Sequence, residues 1–72
     1  MTSEEYTILT FLKESPDSFF SRKEIARRAV RRQVYEENQH WADAPLASLL
    51  LRDCIEEDKT GCYRYKKGYL LS

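Results

Sequence analysis

The side chains with the clearest chemical potential in this sequence are cations. Arg22, Lys23, Arg27, Arg28, Arg31 and Arg32 fall between residues 22 and 32, where Glu24 is the single acid. On a helical period, Ile25, Ala26, Ala29 and Val30 share one side and the cations take the other. A basic stripe of that density can neutralise phosphates, releasing counterions and giving affinity that does not depend on sequence. The competing reading is a solvated helix face on which pairs such as Glu24 with Arg28 cancel part of the charge. Six cations against one acid exceed what solubility requires. A second basic group, Lys59, Arg64, Lys66 and Lys67, follows with no acid among residues 59–72.

Other chemistries find little footing. His40 is the only histidine, and Cys54 and Cys62 lack a paired C-x-x-C spacing, so no zinc site is expected. Both cysteines read as small packing residues, with Cys62 opposite Glu56 or Glu57 across a hairpin. There is no phosphate-binding loop, no dinucleotide-binding glycine motif and no nucleophile elbow, and only two glycines occur. Neither catalysis, a cofactor nor a small-molecule ligand is expected. Tyr6, Tyr35, Trp41, Tyr63, Tyr65 and Tyr69 offer stacking surfaces, but in so small a chain they read as core, with Tyr35 and Trp41 pinning a connection to the body.

The elements that must carry these residues are legible. The chain of 72 residues reads as one domain, with a core at 3–67 and an apolar tail at 68–72. Twelve basic and twelve acidic residues cancel, yet segments 22–32 and 59–72 are basic while the stretches before and between them are acidic. No aliphatic run approaches a membrane span, the first residues lack the pattern of a leader, and two cysteines suit a reducing compartment. A cytoplasmic protein is expected. Thr2 and Glu5 have capping-box spacing, predicting a helix over Ser3–Ser15 with Pro16 beyond it. Ser21 and Glu24 repeat that spacing and predict a second helix to about Tyr35, preceded by a short extended piece. Residues 36–42 read as an irregular connection. Asp43 caps a third helix with Leu46, Leu49 and Leu50 inward and Pro45 in its first turn. Ile55–Glu57 and Tyr63–Tyr65 alternate as strands about a turn at Asp58–Gly61, the acids pairing across to Arg64 and Lys66.

This order resembles the winged helix-turn-helix superfamily, in the manner of small bacterial regulators: an α+β fold, mainly α, of three helices and a hairpin wing, with a short strand between helices one and two. The likeness lies in Ser21-Arg22-Lys23-Glu24-Ile25-Ala26, in Leu50 through Asp58, and in Lys59 through Tyr65. Cys54 stands where that family usually closes its third helix with glycine. The resemblance implies duplex DNA as partner and transcriptional regulation as role, with the third helix in the major groove. That helix offers Ser48 and Arg52 as nearly its only base readers, so selectivity is expected to be low. The expected DNA-binding set is Arg22, Lys23, Arg27, Arg28, Arg31, Arg32, Ser48, Arg52, Lys59, Arg64 and Lys66. The alternative is a protein-interaction or adaptor module without DNA readout, or a homodimer, using Leu51, Tyr69, Leu70 and Leu71.

Overall fold

Thr2 starts the first helix. Its hydroxyl accepts the Glu5 N–H at 3.2 Å, and the Glu5 carboxylate accepts the Thr2 N–H at 2.9 Å, so the reciprocal box forms. The helix so begun is α1 (Ser3–Lys13), whose Ile8, Leu9 and Leu12 are buried. Its last turn relaxes through Ser15 N–H to the Leu12 carbonyl, two residues short of the predicted end. The computed structural model describes residues 2–66, and Tyr69, Leu70 and Leu71, with Lys67, lie outside the described residues.

After β1 (Phe20–Ser21), the Ser21 hydroxyl accepts the Glu24 N–H at 3.1 Å and opens α2 (Arg22–Arg28). Here the expected single helix to Tyr35 is corrected. Arg31 takes an extended conformation, φ −65° and ψ 151°, and a separate helix α3 (Arg32–Glu37) begins after it. Carried on straight, the second helix would have aimed Glu36 and Glu37 at the apolar side. The break lets Tyr35 pack against the core instead. Trp41 closes the connection by donating its Nε1–H to the Ala26 carbonyl at 2.8 Å, which pins 38–42 to α2 as expected.

The fourth helix, α4 (Asp43–Leu51), buries Leu46 and Leu49. Its cap differs from the expectation: Ala42 holds that position with no side-chain bond, while Asp43 lies inside the helix and reaches Arg22 and His40. Closure of α4 also differs. Asp53, not Cys54, takes the left-handed φ of 63°. Cys54 is fully buried, so at that position a small apolar side chain fills the core.

β2 (Ile55–Glu57) and β3 (Cys62–Tyr65) form the hairpin, and β3 also pairs with β1, giving an antiparallel sheet in the order β1-β3-β2. Gly61, with φ +86°, supplies the turn. Asp58 sets the turn by accepting the Thr60 and Cys62 N–H groups, each at 2.9 Å, and the Cys62 amide, then Thr60, hold its carboxyl below the ordinary range. The register places Glu56 opposite Arg64 and Glu57 opposite Tyr63. Cys62 therefore meets Asp58 and, on its other side, Ser21, rather than Glu56 or Glu57. The predicted cross-strand charges meet: Arg64 reaches Glu56 at 2.6 Å, and Lys66 reaches Asp53 at 2.6 Å. Together the described residues form a small α+β domain, mainly helical, with one core drawn from α1, α2, α4 and the sheet. No helix among them is long and apolar enough to cross a membrane.

Candidate nucleic-acid interface

The break after α2 divides the basic stripe into two parts. Lys23 and Arg27 stand one helical turn apart on α2, and Arg31 lies just past the bend as the residue that opens α3. None of these three side chains has a carboxylate partner among the described residues, and the same holds for Lys59 at the hairpin tip. The other cations of the set are engaged. Arg22 meets Asp43 at 3.5 Å, Arg28 meets Glu24 at 3.3 Å, and Arg32 meets Glu36 at 2.9 Å. Arg28 also lies over the rings of Phe11 and Phe20, and Arg64 stacks on Phe19 at 4.5 Å from the ring centre. Part of the stripe is thus a solvated, paired face and part is uncompensated positive charge.

A cleft of 660 Å³ opens where the start of α2, the start of α4 and the hairpin tip converge. Lys23, Arg22, His40, Thr60 and Gly61 line it, with Asp43 and Glu57 as its acids and Tyr35 and Tyr63 on its walls. Burial pushes the Tyr63 hydroxyl up, helped by the neighbouring Glu57 charge, so the phenol stays a neutral donor. Lys59 stands next to Thr60 in the hairpin turn, before β3.

The two expected base readers are found elsewhere. Both lie on the flank of α4 that packs on α1, and both meet Glu5. Ser48 donates its hydroxyl to Glu5 Oε2 at 2.8 Å, and Arg52 approaches the same oxygen through Nε at 3.5 Å. Glu5 is only 3% exposed. Sequence reasoning assigned it a capping role alone, because its burial depends on a helix more than forty residues away. The outward face of α4 carries Ala44, Ala47 and Leu51, the last 89% exposed, as expected for a residue opposite the core.

The Thr2 backbone N–H first, then the Ser48 hydroxyl, hold the Glu5 carboxyl at a pKa of about 2, against an ordinary 4.5. A depressed folded-state value stabilises the fold above the unfolded pKa and loses that stabilisation as pH falls. Stability measured by urea denaturation is therefore expected to decline from about pH 4.5 toward pH 2. Glu5→Gln is expected to flatten that part of the profile, and an unchanged slope in the variant would contradict the assignment. No known family model, curated protein or solved structure matches this chain.

Proposed function

We propose that this chain is a DNA-binding domain of the winged helix-turn-helix type, acting as a transcriptional regulator whose affinity comes chiefly from phosphates. The observation that carries the reading is the set of Lys23, Arg27 and Arg31 around the end of α2, and Lys59 in the hairpin turn, uncompensated by carboxylates among the described residues. Cations without an internal partner are the ones free to exchange counterions for phosphates. A hairpin beside the last helix and a short strand pairing with its second arm are the parts a winged helix would use to straddle a duplex backbone. Ser48 and Arg52 sit to one side of α4, so base readout is a minor contribution and selectivity is low.

Titration of a mixed-sequence duplex at rising salt tests the proposal. Four phosphate contacts predict that log K falls with log salt at a slope of roughly −3.6, about 0.9 per contact. Absence of binding to any duplex at about 50 mM salt would sink the proposal, since non-specific affinity is strongest there.

A second reading has its own support. Leu51, exposed beside Ala44 and Ala47, suits a protein contact better than a groove. On that reading the domain is an adaptor, amide shifts map to residues 44–51 when the chain self-associates or meets a protein, and DNA perturbs nothing.

A further inference from the structure

Glu5 is a fixed charge before Arg52 is considered. Its Oε1 takes the Thr2 N–H at 2.9 Å, its Oε2 takes the Ser48 hydroxyl at 2.8 Å, and the residue is buried. The carboxylate therefore keeps its place and its ionisation whether or not a guanidinium is near. Arg52 pairs with this anchor, its Nε 3.5 Å from Oε2, and its side chain is half exposed. Neither Nη nitrogen of Arg52 has a hydrogen-bond partner among the described residues.

A guanidinium steered at Nε leaves its Nη1/Nη2 edge for an external acceptor. Two parallel N–H groups on that edge match the O6 and N7 pair that guanine shows in the major groove. Ser48 cannot compete as a donor, because its hydroxyl already donates to Glu5. The outward residues of α4, Ala44, Ala47 and Leu51, have no side-chain donor at all.

We infer that Glu5 is a positioning residue for Arg52, and that this pair is the specificity-determining element of the domain, selecting guanine in the duplex. The inference rests on the DNA-binding reading and assigns the one place where that reading departs from sequence indifference. It commits Arg52 to a base edge; a phosphate would use the same fork, and the test separates the two.

The measurement is the ratio of affinities for a G·C-rich and an A·T-rich duplex of equal length, a ratio that does not depend on the fraction of protein folded. The intact chain is expected to prefer the G·C-rich duplex about tenfold, the scale of one bidentate contact. Replacing guanine by 7-deazaguanine, which lacks N7 and leaves the phosphates alone, is expected to remove most of the preference. Arg52→Ala removes it, Glu5→Gln removes most of it, and the double variant loses no more than Arg52→Ala. Glutamine is accepted in a capping box, so Glu5→Gln retains the start of α1. Arg52→Lys is the second, fold-neutral arm: it keeps the charge, loses the planar fork, and should hold A·T affinity while the ratio falls toward one.

A preference that survives Glu5→Gln overturns the positioning role. Equal weakening of both duplexes by Arg52→Ala makes Arg52 a phosphate contact and overturns the inference while DNA binding stands. Salt-sensitive binding with no G·C preference does the same. Failure of every duplex to bind overturns the DNA-binding reading and this inference with it.

Discussion

Reversing Lys23, Arg27 and Arg31 together to glutamate is expected to abolish duplex binding near physiological salt and to flatten its salt dependence. Three phosphate contacts account for about 2.7 of the slope of log K against log salt. Removing them leaves little for Lys59 to hold alone. Reversal goes further than neutralisation, since each glutamate then repels the backbone it replaces contact with. The loss should be the same for every duplex sequence, because phosphates carry no sequence information. As a control, Arg22→Glu, Arg28→Glu and Arg32→Glu together make the same change in net charge on residues already paired with Asp43, Glu24 and Glu36. It should weaken binding much less. Equal loss in the two variants, by fluorescence anisotropy across a salt series, would mean that overall charge rather than the uncompensated set governs affinity.

The second large effect concerns the fold. Leu46 is 1% exposed near the centre of α4, in the same core cluster as Ile8 and Leu12 of α1. Leu46→Ala is expected to cost about 2–5 kcal/mol, the range for emptying such a site. A core this small rarely supplies more than about 3–5 kcal/mol in total, so the variant should be largely unfolded at room temperature. Leu46→Met, which nearly conserves volume, should cost under about 1.5 kcal/mol. Urea denaturation distinguishes the two, and a two-state transition of ordinary midpoint for Leu46→Ala would show that the core lies elsewhere.

What the sequence discloses about this fold is what local chemistry determines. Thr2 with Glu5 and Ser21 with Glu24 mark helix starts because their bonds close within one turn. The Asp58–Gly61 turn is legible for the same reason, and Glu56 finds Arg64 because the turn fixes the register. The bend at Arg31 escapes because neither proline nor glycine marks it. It arises from distant demands: Tyr35 and Trp41 must both reach a body built from other segments. The left-handed Asp53 escapes because aspartate adopts that conformation less readily than glycine, and a buried Cys54 decides which residue takes it.

The candidate site divides along the same line. Composition locates the cations, but which of them lack partners is a property of packing. Arg28 and Arg27 are adjacent and chemically alike, yet Arg28 is paired with Glu24 and stacked on two rings. Glu5 is one acid among several in the sequence and becomes singular only when α4 brings Ser48 and Arg52 to it.

The strand order also dictates a sequence of events in time. β3 lies between β1 and β2 in space but follows both in the chain. During synthesis, neither earlier strand has a neighbour to bond until Cys62–Tyr65 has emerged. Pairing Phe20 with Tyr63 then closes a loop of more than forty residues, late and entropically costly. Until that closure the helices can form but the sheet cannot, and the half-made chain exposes apolar surface without a template of its own. The sheet of the described residues therefore waits on β3.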